Sequence, residues 1–336
     1  MQAQPLAPVL NETDQLGDDK TALGGRLRRN WKAPVASEVA SSLVQQVGDD
    51  ATLRGLLTRY EKNYEDALAE MQRQYLSARA SPEVKTWLER LQSAIEKMFN
   101  RLNSTFEAMT DFEFSNDLAF SIANYLTKFD AIFSLNQDLL IELKYQEAFP
   151  LGTRWSGVEM PGVQAVVDST IRGIGDKHKR RWKPTTTHFQ LASNMQPYFK
   201  LHGSSNWYAD DGESLLVMGA NKDLFINRYP LLQWYFSTFK WYLSYPNTKL
   251  MVIGYGFGDQ HINDEIVAAW RNGTLTGIFV VDPQGRSVLN PTRHLPIAMH
   301  SELEDIHNIG SSTRALSAVF ADDPFEHQKF SDFFNP

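Results

Sequence analysis

The sequence contains no cysteine, no excess of positive charge and no long apolar run. Without cysteine, the chain has no disulfides, no thiolate nucleophile, and none of the iron–sulfur or thiolate zinc sites that proteins commonly use. The 33 Lys and Arg residues are outnumbered by 40 Asp and Glu residues, which gives a net charge of −7. Overall charge therefore does not favour nucleic acid as a ligand, and only a local basic patch could bind it.

The sequence also lacks a membrane-spanning segment and a signal peptide for export. No run approaches the roughly 18 apolar residues that cross a bilayer, and residues 1–14 contain neither the basic region nor the apolar core of a signal peptide. We expect a cytoplasmic protein that does not bind membranes. The chain has 336 residues, of which 42% are hydrophobic and 22% charged, so it is long enough for a large core or for two units.

The first third of the chain has helical periodicity. After a polar stretch over residues 1–30, apolar residues recur at about one-turn spacing up to residue 112. This pattern predicts a first helix near Val35–Val47, followed by an all-helical insertion. We divide the chain into three predicted segments: an N-terminal segment with the first helix (1–48), the helical insertion (49–114) and an α/β core with a C-terminal helical tail (115–336).

A different pattern begins near residue 115, where a helix over Asn116–Lys128 precedes a series of short apolar runs. The runs predict strands at Ala131–Leu135, Tyr198–His202, Leu215–Met218, Leu250–Gly254 and Gly277–Asp282, with further helices over Leu231–Leu243 and Ile262–Arg271. Buried apolar strands that alternate with helices are typical of a parallel sheet with crossover helices. The predicted fold is therefore α/β, with a Rossmann-like parallel sheet, flanking helices and the all-helical insertion.

Small and polar residues follow these strands. They are Asn136 and Asp138, the run His202–Trp207, the run Gly254–Asp259, and Asp282. Ligands of parallel sheets bind beyond the carboxyl ends of the strands. The Gly-x-Gly-x-Gly spacing at 254–258 could bring backbone N–H groups to a phosphate, and an acid at a strand end can bind ribose hydroxyls. Taken singly, each feature is also compatible with a turn, a helix cap or a buried core histidine.

Three segments carry a family resemblance: Phe133–Asp138, Lys200–Trp207 and Val252–Asn263. In this order they resemble the sirtuin-like NAD-hydrolase domains of prokaryotic anti-phage defence systems, with the helical insertion at the family's variable position. The resemblance implies that Asn136 positions the attacking water and that His202 is the catalytic histidine. It also implies further NAD-binding residues: Asp138, Ser204, Gly254, Gly256 and Asp282, the last at the adenosine ribose.

The N-terminal segment departs from the family pattern. The family opens with a strand and a Gly-Ala-Gly-x-Ser loop over the NAD phosphates. Gly24 and Gly25 stand in that loop and are NAD-binding residues by the resemblance, but Arg26 replaces the third Gly and Arg28 replaces the Ser. Glycine lets the backbone approach a phosphate closely, so an Arg here would either crowd the phosphate or hold it by a charge contact.

The activity implied by the resemblance is hydrolysis of NAD to nicotinamide and ADP-ribose, with NAD as substrate and no metal. Nicotinamide leaves NAD as a neutral molecule from a cationic ring, so its departure needs no general acid, unlike that of an O-glycoside. A neutral Asn and a neutral His can then suffice. The resemblance further implies a homo-oligomer that is latent until a trigger or a second defence subunit, such as a HerA-type ATPase, activates it. The chain itself has no P-loop motif.

Two alternatives to hydrolysis remain open. The altered Gly loop favours a sirtuin-like scaffold or an NAD- or ADP-ribose-binding subunit of a defence complex. A protein deacylase would have to work without the four-cysteine zinc module of true sirtuins. Elsewhere, the basic run at 177–183 is interpreted as a solvated loop in preference to a nucleic-acid contact. The aromatic residues between Trp234 and Tyr242 are interpreted as core and oligomer interface.

Overall fold

The structure is a computed structural model. The residues that it describes are 43, 47–60, 64–76, 81–109, 112–166, 174–185, 189–210, 212, 214–219, 222–295, 297, 299–321 and 323–335. The predicted phosphate loop with Gly24 and Gly25, and most of the predicted first helix, lie outside these residues. The two arginines of that loop, Arg26 and Arg28, also lie outside them.

Helices fill the predicted insertion: α1 (Ala51–Arg59), α2 (Tyr64–Leu76) and α3 (Pro82–Ala108). Asp50 caps α1, because its Oδ1 accepts hydrogen bonds of 3.1 Å from the N–H groups of Thr52 and Leu53. Pro82 occupies the first turn of α3, where its missing N–H costs nothing. One face of α3 is buried along its length, from Val84 to Phe106, which confirms the helical interpretation of this segment.

The described residues fall into two compact units. The first unit contains residues 112–129 and 235–335, and the second contains residues 43–109 and 130–234. The α/β class is confirmed, since parallel sheets with neighbouring helices occur in both units. The predicted segment boundaries at 48 and 114 remain a prediction.

A parallel three-stranded sheet lies in the second unit. Its strands are β1 (Ile132–Ser134), β2 (Val158–Glu159) and β5 (Gln196–Lys200), in the order β1-β5-β2. Every residue of β5 is buried, as expected for the central strand of a parallel sheet covered on both faces. A π-helix (Glu142–Gln146) follows β1, and a 3-10 helix (Ile174–Lys179) lies between β2 and β5 in the chain.

A second, mixed sheet in this unit contains the predicted strand at 215–218 and three strands that the sequence did not predict. Its order is β3 (Val163–Ala165), β4 (Trp182–Pro184), β6 (Gly203–Tyr208) and β7 (Ser214–Leu216). The polar run after His202 was not predicted to be a strand, but the chain turns at Gly203 and continues at once as β6. The small polar residues of β6 resemble a loop in the sequence, yet most of them are buried. Helix α5 (Lys222–Arg228) follows β7.

The sheet of the first unit is parallel throughout. Its strands β8 (Thr248–Ile253), β9 (Leu275–Val281) and β10 (Asn308–Ser312) have the order β10-β9-β8. Helix α7 (Gln260–Arg271) connects β8 to β9, as the βαβ pattern predicted. The predicted strands were each placed within about three residues, whereas β10 was not predicted.

One predicted helix is shorter than expected. In place of a helix over Asn116–Lys128, a 3-10 turn (Leu118–Phe120) precedes α4 (Ile122–Leu126). The Glu113 carboxylate accepts hydrogen bonds from the N–H groups of Ile122 (2.7 Å) and Ala123 (3.0 Å), so it caps the helix at this point. The start of α4 is therefore set by this polar cap, although the apolar periodicity of the preceding turn predicted an earlier start.

The remaining elements complete the core of the first unit. They are α6 (Pro230–Leu243), 3-10 turns at Gly285–Leu289 and Glu302–Asp305, α8 (Leu316–Val319) and α9 (Pro324–Asp332). Tyr235 and Phe239 of α6 are buried as predicted, whereas Trp241 is 48% exposed. Among the residues that the structure describes, no helix combines the length and apolar composition needed to cross a bilayer.

Candidate functional site

The two predicted catalytic residues leave one sheet at the same edge. Strands β1 and β5 pair in parallel, with Ile132 opposite Tyr198 and Ser134 opposite Lys200. Asn136 and His202 each lie two residues beyond the last of these pairs. The ladder continues past the strands, because the Leu201 N–H donates to the Ser134 carbonyl at 2.9 Å. The parallel register therefore brings Asn136 and His202 to neighbouring positions, as the sequence predicted.

The Asn136 side chain is open to a ligand. Its backbone N–H donates to Ser134 Oγ at 3.0 Å, which fixes the start of the loop. The residue is half-buried. Within the described part of the chain, no hydrogen bond of its carboxamide is recorded, so both an acceptor and donors remain for a water or substrate.

His202 is completely buried. Its carbonyl accepts a 2.9 Å hydrogen bond from the Val217 N–H, which ties the turn to the segment after β7. Gly203 then turns the chain with φ +71°, and a Cβ at that position would lie 1.8 Å from the Leu215 carbonyl oxygen. Because the imidazole has no solvent contact in this structure, a substrate reaches it only after a movement that uncovers the ring.

Asp138 and Ser204 are also buried in the second unit. Asp138 Oδ1 accepts a 3.0 Å hydrogen bond from the Leu140 N–H, the pattern of an Asx turn. Burial raises the pKa of Asp138, and the positive charge of Lys200 opposes this only in part. Ser204 Oγ is buried, and within the described residues it has no hydrogen-bond partner. Asp138 therefore forms the turn that the sequence analysis gave as the alternative to ligand binding.

Lys200 and Glu142 form a buried polar cluster with Asp138 that the sequence analysis missed. The fully buried Lys200 ammonium lies 2.6 Å from Glu142 Oε1 and also donates to the Asp138 carbonyl. Burial raises the pKa of Glu142, with Lys200 again acting in the opposite direction. A signal was present in the sequence, because Lys200 interrupts an otherwise apolar strand and lysine is almost never buried without a partner.

A second missed residue comes from the helical insertion. Asn103 of α3 is 1% exposed, and its side chain contacts both segments that leave the sheet edge with Asn136 and His202. Its Oδ1 accepts from the Leu139 N–H at 2.9 Å, and its Nδ2 donates to Ser205 Oγ at 3.0 Å. The sequence carried a signal, because Asn103 lies four residues after Phe99 and three before Phe106, and so falls on the apolar face of α3.

Gly254 and Asp282 occupy the corresponding edge of the first unit. Ile253 of β8 pairs with Val281 of β9, and the Gly254 N–H donates to the Val281 carbonyl at 2.9 Å. Gly254 has φ +64°, a conformation that favours glycine. Asp282 Oδ1 accepts from the Gln284 N–H at 2.8 Å, and burial raises the pKa of Asp282. This carboxyl therefore already takes part in a turn.

The turn that contains Gly256 leads into α7. Asp259 occupies the N-cap of this helix and is buried. The Tyr255 hydroxyl accepts from the Asp259 N–H at 3.2 Å and contacts Asn263 Oδ1 at 3.0 Å. A helix N-terminus favours anions, but here the residue at the N-cap is itself acidic, although its side chain makes no capping hydrogen bond. A phosphate at this end of α7 would have to share the position with Asp259.

The basic run at 177–183 is paired with acidic residues. Lys177 forms an ion pair with Glu147, and Arg180 Nη1 lies 3.6 Å from the same carboxylate. Lys183 Nζ lies 3.6 Å from Asp210 Oδ1. These contacts reduce the charge that the run presents to solvent. The predicted solvated loop is wrong for much of this run, because residues 177–179 end a 3-10 helix, residues 182 and 183 lie in β4, and His178 is buried. The acidic partners favour a structural role over an open nucleic-acid patch.

The predicted site residues thus form two groups, each assembled within its own unit. Asn136, Asp138, His202 and Ser204 lie in the second unit, and Gly254, Gly256 and Asp282 lie in the first. Neither a scan against protein-family models nor a search of curated proteins returns a match for this chain. Its function is therefore inferred from its own residues and their geometry.

Proposed function

We propose that this protein is an NAD⁺ glycohydrolase, which converts NAD⁺ to nicotinamide and ADP-ribose at the edge formed by Asn136 and His202. The observation that carries the proposal is the parallel pairing of β1 with β5, after which both residues leave the sheet at equivalent positions. An open carboxamide beside a histidine suits the hydrolysis of a bond whose leaving group needs no proton. The roles of Gly24, Gly25, Gly254, Gly256 and Asp282 as NAD contacts remain predictions.

The proposed step uses water as the nucleophile. The water oxygen forms a bond to C1′ of the ribose as the bond from C1′ to the nicotinamide nitrogen breaks, and the water gives up one proton. Asn136 Oδ1 would accept a hydrogen bond from this water and so fix its direction of attack. His202 would accept a hydrogen bond from a ribose hydroxyl and take up the released proton as a weak base.

The burial of His202 supports latency. A fully buried imidazole cannot contact a ribose, so the proposed enzyme needs a rearrangement before it turns over. We propose that a partner supplies this trigger in a homo-oligomeric, NAD-depleting anti-phage complex. The partner would be a second defence subunit, such as a HerA-type ATPase. The exposed Trp241 and Tyr245 at the end of α6 are available for self-association.

The test is the release of nicotinamide and ADP-ribose from NAD⁺, measured by chromatography with the purified protein, alone and with the product of its neighbouring gene. Asn136→Ala and His202→Ala should each lower turnover by about 100-fold or more. Asn272→Ala, an exposed residue at the end of α7, is the matched control and should keep full activity.

Two results would refute the proposal. One is turnover that persists in Asn136→Ala, which would remove the assigned reaction centre. The other is the absence of both nicotinamide release and calorimetric NAD⁺ binding, with and without the neighbouring-gene product. That second result would favour a scaffold subunit of the same kind of complex.

A further inference from the structure

The helical insertion reaches the catalytic edge through one buried amide. Asn103 lies in α3, well before β1 in the chain, and its side chain is almost inaccessible to solvent. The amide accepts from the Leu139 N–H at 2.9 Å and donates to Ser205 Oγ at 3.0 Å. Leu139 closes the loop that begins at Asn136, and Ser205 lies three residues after His202.

The two hydrogen bonds of the Asn103 amide pair with polar groups in the protein interior. The Leu139 N–H is buried, so loss of its acceptor would leave an unpaired donor in the interior, which is unfavourable. The two segments are also joined directly, since the Ser205 N–H donates to the Gln137 carbonyl at 2.9 Å. Asn103 therefore adds two hydrogen bonds to a pair of segments that already contact each other, and this bridge fixes the distance between the loop and the strand.

The end of α3 is itself held firmly. Lys144 donates to the carbonyls of Glu107 and Met109, the former at 3.2 Å. The Glu107 carboxylate accepts from the N–H groups of Lys177 (3.0 Å) and His178 (3.1 Å). Asn103 thus projects from a helix whose last turn is fixed by contacts to other segments, which is what a precise support of a reactive group requires.

We infer that Asn103 is a positioning residue for the Asn136–His202 edge, so the helical insertion is part of the catalytic support and is more than an appended module. This inference rests on the proposed function. A displacement of α3 would move the Asn136 loop and the start of β6 together. The bridge is therefore a direct physical connection through which a change in the helical insertion would alter turnover.

The experiment compares substitutions at the two ends of the bridge. Asn103→Leu removes both hydrogen bonds at similar volume, and Ser205→Ala removes only one. In Asn103→Asp the carboxylate can accept from the Leu139 N–H and from the Ser205 hydroxyl, so this variant should restore part of the function. Thr105→Ala, on the exposed face of the same helix, is the control.

Two readouts separate positioning from stability. The first is hydrogen exchange of peptides covering residues 136–142 and 203–208, which does not depend on NAD⁺ turnover. We expect faster exchange there in Asn103→Leu and no change in Thr105→Ala. The second is NAD⁺ hydrolysis, where kcat should fall by about tenfold or more while KM changes by less than about twofold, because the reacting groups are misplaced but substrate contacts persist.

Each outcome decides a separate point. Unchanged exchange in Asn103→Leu would overturn the inference, as would faster exchange together with a wild-type kcat. Loss of kcat in Asn103→Leu with recovery in Asn103→Asp would support it. If the wild-type protein releases no nicotinamide under any condition, the proposed function fails, and the exchange data alone decide whether Asn103 positions the loop.

Discussion

Lys200 and Glu142 form an ion pair in the interior of the second unit, with 2.6 Å between Nζ and Oε1. The same ammonium donates to the Asp138 carbonyl, so one cation is placed among two buried acidic residues. Removing two charged groups from water costs free energy, and the attraction between them offsets that cost only while their hydrogen-bonded geometry is kept. The pair joins the π-helix after β1 to β5, and the contact with the Asp138 carbonyl joins the loop after Asn136 to the same strand.

Removal of this cation should strongly destabilise the second unit. We expect Lys200→Met to lower the free energy of unfolding by about 3–5 kcal/mol, because two carboxyl groups would lose their compensating charge. Urea denaturation measures the effect. Lys240→Met is the matched control: its Nζ also lies 2.6 Å from a carboxylate, that of Glu265, but the side chain is 46% exposed. Its substitution should cost about 1 kcal/mol or less, and equal losses in both variants would contradict the prediction.

Gly203, between His202 and Ser204, should tolerate no side chain. A Cβ there would lie 1.8 Å from the Leu215 carbonyl oxygen, on a backbone with φ +71°. Strain and the clash together should cost at least about 2 kcal/mol in Gly203→Ala. Gly212 also has positive φ (+83°) but has open space around it, so Gly212→Ala should cost only about 1 kcal/mol. Thermal unfolding that shows no difference between the two variants would contradict the close approach of Gly203 to Leu215.

The Glu107 carboxylate should make stability depend on pH on the acid side. Burial acts to raise the pKa of Glu107, but hydrogen bonds from His178 and from two backbone N–H groups outweigh it and lower the pKa. A lowered folded-state pKa contributes stability that is present above the unfolded pKa, about 4.3, and is lost as pH falls through the folded value.

The variant Glu107→Gln tests this dependence. It should be less stable than the wild type by about 1–3 kcal/mol near neutral pH, and the difference should shrink as pH falls below about 4. Denaturant titrations across this range measure the difference. Glu89→Gln, an exposed residue of the same helix, should lie within about 0.5 kcal/mol of the wild type. A difference between Glu107→Gln and the wild type that does not vary with pH would refute the assignment.

Substitution of the two arginines in the N-terminal loop would show how this loop contacts the NAD⁺ phosphates. If the loop is a weakened glycine cradle, the double reversion Arg26→Gly and Arg28→Ser should tighten NAD⁺ binding by about tenfold. If the arginines hold the phosphates themselves, the reversion should weaken binding by a similar factor. Calorimetry on the intact protein measures the change, with Arg54→Ser in α1 as the control. No change in affinity would show that the loop does not contact NAD⁺.

Much of the catalytic edge was predictable from the sequence. The run around Phe133 and the run around Phe199 are apolar, and each is followed by polar residues, so a parallel pairing already predicted Asn136 and His202 at one edge. The role of this edge in NAD⁺ hydrolysis remains a prediction. Strands β2, β3 and β4 were not predicted, because each has only two or three residues and, unlike β1 and β7, none lies in an apolar run of the sequence.

The supporting residues were missed for a different reason. Asn103 and Ser205 are 102 residues apart in the chain, and Lys200 and Glu142 are 58 apart. A single sequence indicates which residue types are unusual for their surroundings, as with Lys200 in β5, but it does not identify their partners. Strand β6 was hidden because serine and asparagine are common in loops, and only the structure shows that its residues are buried.

The pairing of β1 with β5 has a consequence for biosynthesis. Strand β5 follows β1 by 66 residues, and at translation rates of about 5–20 residues per second the ribosome needs roughly 3–13 s to supply it. During that interval the apolar β1 segment lacks the neighbour with which it pairs in the finished sheet. Closing so long a loop also slows the pairing itself. The sheet edge with Asn136 and His202 therefore forms only after β5 has been made, and the nascent chain carries an unpaired, aggregation-prone strand until then.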